Sequence, residues 1–145
     1  MTRVGGIVLC GGRSSRMGRP KAWLPVGDEV MLQRVVRTLG EVVSPVVVVA
    51  GPGQDVPPLP SDVRIVRDEV EGRGPLAGLA GGLAALDGLA DAAYLSACDV
   101  PLLVPGFVRR VVELLEKPNP PAPFPEREGG DDTLPPGRDD AICRK

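Results

Sequence analysis

The 145-residue sequence predicts a single α/β domain built on a mostly parallel central sheet. Short apolar runs, typical of buried strands, alternate along the chain with segments whose apolar residues recur at helical spacing. Strands and helices that alternate in this way form parallel sheets through right-handed crossovers. With one Trp, one Tyr and two Phe in the chain, the core of this domain is expected to be aliphatic.

The first part of the chain predicts two strands and one helix. An apolar run over Val4–Leu9 predicts the first strand, and a helix follows near residues 30–40, with Gly40 as its stop. Val46–Ala50 is a continuous run of apolar, mostly β-branched residues, which predicts a central strand buried on both faces. The apolar face of the helix is formed by Met31, Leu32, Val35, Val36 and Leu39.

The second part predicts a loop over residues 51–60, a short strand over 63–66 and a polar loop over 68–75. A helix follows, whose apolar face consists of Leu76, Leu79, Leu83 and Leu86. Its glycines each weaken a helix by about 1 kcal/mol relative to alanine, so close packing or approach to a ligand is expected there. These glycines are Gly78, Gly81 and Gly82.

The last predicted elements are a strand over residues 93–97 and a helix over 105–116. Residues 117–138 are rich in proline and glycine and show neither a strand pattern nor a helical face. The sequence therefore predicts a domain over residues 1–116 and a disordered tail over 117–145. A sheet that lacks further strands after residue 116 is expected to expose an apolar edge.

The whole-chain composition excludes several function classes. A net charge of −2 argues against broad nucleic-acid binding, and the chain has no apolar run long enough for a membrane span. Three cysteines, Cys10, Cys98 and Cys143, are far apart in sequence and fit a reducing, cytoplasmic setting. Because the chain has no histidine, catalytic triads and histidine zinc sites are excluded. Chemistry must then depend on carboxylates, cations and a hard metal such as Mg²⁺.

The most informative segment is residues 9–21, which reads LCGGRSSRMGRPK directly after the first predicted strand. Its adjacent glycines allow a sharp turn and a close approach of the backbone to a ligand. The clustered arginines and Lys21 at the end of a strand suit a polyphosphate. The segment is neither a Walker A loop nor a dinucleotide fingerprint. The alternative is a glycine-rich loop whose basic residues are solvated.

This segment resembles the signature of the molybdenum cofactor guanylyltransferase family, L-x-G-G-x-S-x-R-M-G-x-x-K. The resemblance covers about residues 3–116 and implies a three-layer, Rossmann-like nucleotidyltransferase fold of the GT-A-like type, here incomplete at the C-terminus. The matching positions are Leu9, Gly11, Gly12, Ser14, Arg16, Met17, Gly18 and Lys21.

The resemblance also implies roles for residues of this segment. It assigns Leu9, Cys10, Gly11, Gly12 and Lys21 to nucleotide binding. A lysine at position 21 can neutralise the phosphates that leave, although a solvated surface lysine is the simpler alternative. The planar guanidinium of Arg16 suits a bidentate grip on the β- and γ-phosphate oxygens.

Two aspartates match further family motifs. Asp99 lies in Cys98-Asp99-Val100-Pro101, which fits the family pattern C-D-x-P, and is expected to bind Mg²⁺ and nucleotide. Asp68 precedes the G-P-L-A-G segment at residues 74–78 and is expected to bind the nucleotide. An aspartate after a strand is otherwise most often a turn or cap residue. Because both aspartates and the glycine loop follow strands, we expect them to face one crevice.

One departure from the family pattern is the absence of an asparagine at the end of the second main strand, near Val49. Base or ribose recognition is then expected to be weaker, or to use the backbone of Ala50 and Gly51. The L-x-G-G start favours GTP over CTP, because related cytidylyltransferases more often read L-A-A-G.

The function that the resemblance implies is transfer of GMP from GTP to molybdenum-bound molybdopterin, with release of pyrophosphate. Its implied partners are GTP, the molybdopterin acceptor, and molybdoenzymes or their chaperones. Two alternatives stay open. One is a related nucleotidyltransferase that uses CTP or another phosphorylated acceptor, and the other is a nucleotide-binding remnant without activity.

Overall fold

The computed structural model describes residues 1–11, 20–68 and 74–117. Within them, three α-helices flank a sheet of four parallel strands, which confirms the predicted α/β fold class. The strands are β1 (Val4–Leu9), β2 (Pro25–Val26), β3 (Glu29–Val30), β4 (Val46–Ala50), β5 (Arg64–Arg67) and β6 (Ala92–Ala97). The helices are α1 (Met31–Gly40), α2 (Pro75–Leu86) and α3 (Pro105–Glu116).

The main sheet has the strand order β5-β4-β1-β6, and every neighbouring pair is parallel. All five residues of β4 are buried, as the β-branched run predicts for a central strand. In the register of the sheet, Leu9 of β1 lies opposite Val49 of β4 and Ala97 of β6. The carboxyl ends of β1, β4 and β6 therefore lie side by side.

The sheet separates two apolar layers, so the described fold has three layers. Side chains of β4 alternate between them: Val46 and Val48 face the layer that contains α1 and α3, and Val47 and Val49 face the layer of α2. Each layer is almost wholly aliphatic, as the scarcity of aromatic residues predicts. The fully buried residues of the first layer include Val8, Leu32, Val35, Leu39 and Val108.

The glycines of α2 let this helix pack closely on the sheet. A Cβ atom at Gly82 would lie 2.8 Å from Cγ2 of Ile7, and one at Gly78 would lie 3.3 Å from Cδ2 of Leu9. The first distance is a steric clash with a buried, β-branched side chain. These glycines are unfavourable for helix formation, but they allow α2 to contact β1 closely.

Some features differ from the sequence-based expectations. A hairpin of β2 and β3, turning at Gly27 with φ 64°, lies between β1 and α1 and was not predicted. Its two-residue strands are too short for a periodic pattern. Strands β5 and β6 each begin one residue away from the predicted starts, at Arg64 and Ala92.

Strand β6 forms one edge of the described sheet. Leu95 on β6 is 46% exposed, and Phe107 and Leu114 on the neighbouring α3 are more than half exposed. Exposed apolar side chains also lie on α2, where Leu76 and Leu83 of the predicted apolar face are 77% and 48% exposed, so that part of the prediction is wrong. The predicted tail lies outside the described residues from position 118 onward. No helix in the described ranges is long and apolar enough to cross a bilayer.

Candidate active site

The candidate site lies at the carboxyl edge of the main sheet, where all four strands end at the same level. Leu9 is level with Val49 and Ala97, and Ala50 is level with Arg67. The hydrogen bonds from Cys10 N–H to the Val49 oxygen, from Cys98 N–H to the Leu9 oxygen and from Asp68 N–H to the Ala50 oxygen carry the ladder one residue further. The next residues form a row across the sheet in the order Asp68, Gly51, Gly11 and Asp99.

The middle of this row has no side chains, because it consists of Gly11 and Gly51. A Cβ atom on Gly11 would lie 3.3 Å from the backbone nitrogen of Gly51, so the two chains approach closely. We call these two glycines, which have an aspartate at each end of their row, the glycine notch. Such a notch lets a ligand contact the backbone directly.

The Gln54 side chain bridges the chain segments that follow β1 and β4. Its Oε1 accepts a 2.8 Å hydrogen bond from Gly51 N–H, and its Nε2 donates a 3.0 Å hydrogen bond to the Cys10 oxygen. The sequence has no asparagine near Val49, and the fold brings Gln54, from the following loop, back to the end of β4. Both polar atoms of its amide bond to backbone groups. Val49 itself is buried against the layer of α2.

Lys21 and Asp99 form an ion pair at one end of the row. Lys21 follows Pro20, whose φ of −60° and ψ of 128° direct the chain into a short 3₁₀ turn. Its Nζ lies 2.6 Å from Oδ2 of Asp99, and about two fifths of each side chain is exposed, 42% and 38%. The hydrogen bond from Lys21 lowers the pKa of the Asp99 carboxyl, and that carboxylate raises the pKa of Lys21. Both groups are therefore held in their charged forms and are open to solvent.

Asp68 lies at the opposite end of the row from Asp99, because β5 and β6 are the two edges of the described sheet. Three strand spacings separate them, about 14 Å. Direct ligands of one Mg²⁺ ion lie only about 2.0–2.1 Å from it, so the two carboxylates cannot share an ion. Lys21 and Asp99 thus lie together, and Asp68 lies at the other end of the row.

The carboxylate of Asp99 fits the ordinary way in which proteins hold Mg²⁺. This ion is usually bound through one or two carboxylates together with substrate phosphates and water. Within the described ranges, no three cysteine or acidic side chains gather in a group that could hold a metal by themselves. A cation at Asp99 would then take most of its oxygen ligands from a bound nucleotide.

The remaining predicted site residues lie at the end of β1 or outside the described residues. Leu9 packs against α2, and its backbone oxygen accepts the hydrogen bond from Cys98. Cys10 is buried beside Cys98, and the hydrogen bond between the thiols, together with burial, raises the pKa of Cys10. The same hydrogen bond lowers the pKa of Cys98. Gly12 and Arg16 lie outside the described residues.

A family model and curated relatives match this chain. The family model of the MobA-like NTP transferase domain matches residues 6–136. A probable molybdenum cofactor guanylyltransferase of Mycobacterium avium (strain 104) is 42% identical over 120 residues, which are 81% of this chain and 60% of the relative. These matches confirm the resemblance found in the sequence. The chain spans about 60% of the length of this relative.

Solved structures confirm the nucleotidyltransferase-like fold. Rv0371c of Mycobacterium tuberculosis H37Rv superposes with a TM-score of 0.62 at 29% identity, covering 78% of this chain and 60% of that one. A second structure of Rv0371c, with a TM-score of 0.56, is a complex with manganese. The 4-diphosphocytidyl-2C-methyl-D-erythritol synthase of Anaerococcus prevotii has a TM-score of 0.60, covers 79% of this chain and 51% of that one, and at 16% identity shows similarity of fold alone.

Proposed function

Because this chain belongs to the family of MobA-like NTP transferase domains, we propose that it transfers GMP from GTP to molybdenum-bound molybdopterin and releases pyrophosphate. The observation that carries the proposal is the pairing of Lys21 with Asp99 beside the glycine notch. The name of the relative from M. avium, 42% identical, supports the choice of reaction.

The reaction needs positioning and charge neutralisation more than proton transfer. A terminal phosphate oxygen of the acceptor attacks the α-phosphorus of GTP, the new P–O bond forms, and the bond to the β-phosphate oxygen breaks. The attacking phosphate oxygen of the acceptor is already ionised at pH 7, so no general base is required. The absence of histidine from the whole chain is compatible with this chemistry. Most of the rate then comes from holding the reacting atoms in line and offsetting their charge.

Lys21 and Asp99 have complementary roles in this proposal. The Lys21 ammonium neutralises charge that accumulates on the leaving pyrophosphate. The Asp99 carboxylate would hold a divalent cation, for which we expect Mg²⁺, and this cation would supply Lewis-acid stabilisation of the phosphate oxygens. Their ion pair keeps both groups charged before the substrate arrives. This charge state is the one that both roles require.

The nucleotide is proposed to lie along the row of strand ends. Its phosphates lie at Gly11 and Lys21, where bare backbone and a cation meet, and Asp68 contacts the nucleoside end. From the sequence we expect Gly12 to leave space for the nucleotide and Arg16 to bind the β- and γ-phosphate oxygens. The second glycine leaves space for a purine, which favours GTP over CTP.

The test is a transfer assay on the full chain with Mg²⁺, molybdenum-loaded molybdopterin and each of the four nucleotides in competition. We expect GMP transfer from GTP to exceed transfer from the other three nucleotides. A preference for CTP would overturn the base assignment. If GTP binds but no GMP is transferred to molybdopterin, the chain is a nucleotide-binding protein and the proposed transfer activity is wrong.

The same proposal places the chain in the cytoplasm, where thiols stay reduced. Cys10 and Cys98 are both free thiols in the structure. Molybdoenzymes or their chaperones are the partners to which the product would be passed. Co-purification of a molybdoenzyme that depends on loaded cofactor would test this step.

A further inference from the structure

Cys10 and Cys98, although far apart in the sequence, are neighbours in the fold. Each directly follows a strand, Cys10 after β1 and Cys98 after β6, and these strands pair with Leu9 opposite Ala97. The hydrogen bond from Cys98 N–H to the Leu9 oxygen, 3.0 Å, continues that pairing. Neighbouring strands lie about 4.8 Å apart. This spacing is within the Cα separation of about 4.4–6.8 Å that disulfides require.

The two side chains also point in the same direction. Both belong to the apolar layer that contains α1 and α3, and each residue is 6% exposed. The Sγ of Cys10 also accepts a 3.4 Å contact from Nε2 of Gln54. A disulfide can therefore form through small side-chain movements, without a change in strand register.

We propose that Cys10 and Cys98 form an oxidisable dithiol that hydrogen peroxide converts to a disulfide at the base of the candidate site. One thiol sulfur takes an oxygen from peroxide, becomes a sulfenic acid and releases one water. The second sulfur attacks that sulfenic sulfur, the S–S bond forms and a second water leaves. Two thiols and one peroxide thus give one disulfide and two waters, and the two sulfurs lose two electrons.

The position of the disulfide gives it a consequence, which depends on the proposed function. Cys10 precedes Gly11 and Cys98 precedes Asp99, so the bond joins the backbone directly below both site residues. When the bond forms, the distance between the two sulfurs shortens from van der Waals contact to about 2.0 Å. Reacting groups displaced by about 1 Å lose rate by as much as a hundredfold, so we expect at least a tenfold loss of GMP transfer. Dithiothreitol should restore it.

A peptide map of the full chain tests the dithiol directly. Trypsin places the three cysteines in separate peptides, 4–13, 74–109 and 139–144. After treatment of the native protein with hydrogen peroxide and alkylation of free thiols, we expect peptide 4–13 linked to 74–109. Cys143→Ser is the matched control and should keep this link, whereas Cys10→Ser and Cys98→Ser should each remove it.

Other products would overturn the proposal. A link to peptide 139–144, separate sulfinic acids on the two thiols, or two alkylated thiols after peroxide would each show that the pair does not form the disulfide. The wild-type map needs no variant, so a folding defect in a serine variant does not affect the result. The activity measurement uses the Cys143→Ser chain. A full link with unchanged GMP transfer would overturn the effect on the site, whereas a reduced chain without transfer would count against the proposed function and leave the dithiol standing.

Discussion

Lys21 and Asp99 are 78 positions apart in the chain, and Nζ of Lys21 lies 2.6 Å from Oδ2 of Asp99. The pair joins the turn that follows the glycine segment to the end of edge strand β6. An equivalent pair, Arg3 and Asp91 at 2.9 Å, lies at the amino end of the same strand and serves as an internal control. The two pairs share charge and exposure but differ in their distance from the candidate site.

The first prediction concerns the ionisation of Asp99. Lys21→Met removes the hydrogen bond that lowers the pKa of the Asp99 carboxyl, so this pKa should rise towards its usual value. Carbon-13 NMR of the aspartate carboxyls checks the shift. The pKa of Asp91, which Arg3 lowers, should not change in this variant. An unchanged Asp99 pKa would show that the ion pair does not form in solution.

The same pair predicts how stability depends on pH. The folded pKa of Asp99 is lowered, so the pair's contribution to the free energy of unfolding is present above the unfolded value of 3.8 and is lost as pH falls through the lower folded value. The folded pKa of Lys21 is raised, so this contribution is also present below 10.5 and is lost as pH rises through the higher folded value. Between these limits, the stability difference between wild type and Lys21→Met should be constant. Urea unfolding at several pH values measures it, and a steep change near neutrality would contradict the assignment.

The second prediction concerns Asp68 at the far end of the row. Asp68→Asn should raise the KM for GTP by about tenfold or more, because a hydrogen bond to a charged group contributes about 1.5–3 kcal/mol. The kcat should change little, since Asp68 is three strand spacings, about 14 Å, from Asp99 and two spacings, about 10 Å, from Gly11, where the phosphates are proposed to lie. Asp62→Asn, in the exposed turn before β5, is the matched control and should change neither constant. A loss of kcat without a change in KM would show that Asp68 acts on the chemical step.

The third prediction concerns Gln54, which holds Gly51 to Cys10. Gln54→Ala leaves polar backbone groups without their partner, so it should lower the free energy of unfolding by about 1–3 kcal/mol. It should also weaken GTP binding, because the glycine notch loses its support. Isothermal titration and urea unfolding measure the two effects.

Gln33 provides the control for this prediction, because its side chain also makes two backbone hydrogen bonds, with Val30 and Pro58, away from the notch. Gln33→Ala should lower stability by a similar amount and leave GTP affinity unchanged. If both variants weaken GTP binding equally, the effect of Gln54 is one of general stability.

The fourth prediction concerns the packing of α2 on the sheet. Gly82→Ala places a Cβ atom 2.8 Å from Cγ2 of Ile7, a buried side chain with little freedom to move, and should destabilise the fold by about 1–3 kcal/mol. Gly40→Ala at the end of α1 meets nothing within 4 Å and should be neutral or stabilising by up to about 1 kcal/mol. Urea unfolding compares them. Equal stability of the two variants would contradict the close contact of α2 with β1.

The sequence was informative where one local pattern determines the structure. Val46–Ala50 is buried throughout, as its unbroken apolar run predicts, and β1 and α3 have the bounds that their patterns predict. The sequence links the glycines of α2 to close packing, because their low helix propensity is visible without knowledge of the fold. Their partners, Ile7 for Gly82 and Leu9 for Gly78, are set by the folded sheet.

Relationships between distant residues were not predictable in the same way. Gln54 lies in a loop, and only the fold brings its amide back to Cys10. The sequence indicates two separate thiols, Cys10 and Cys98, because their spacing along the chain does not reveal that β1 and β6 are neighbours. Asp99 and Lys21 were each proposed for the site through motifs, but their direct contact depends on the strand order. Whether Asp68 contacts a nucleotide stays a prediction.

The central claim is that Asp99, held charged by Lys21, is required for transfer of GMP. The most direct measurement compares Asp99→Asn with Asp91→Asn in GMP transfer from GTP to molybdenum-loaded molybdopterin, with Mg²⁺ present. We expect no measurable turnover for Asp99→Asn and normal turnover for Asp91→Asn, with both variants folded by circular dichroism. Normal turnover by Asp99→Asn would contradict the role of Asp99 in GMP transfer.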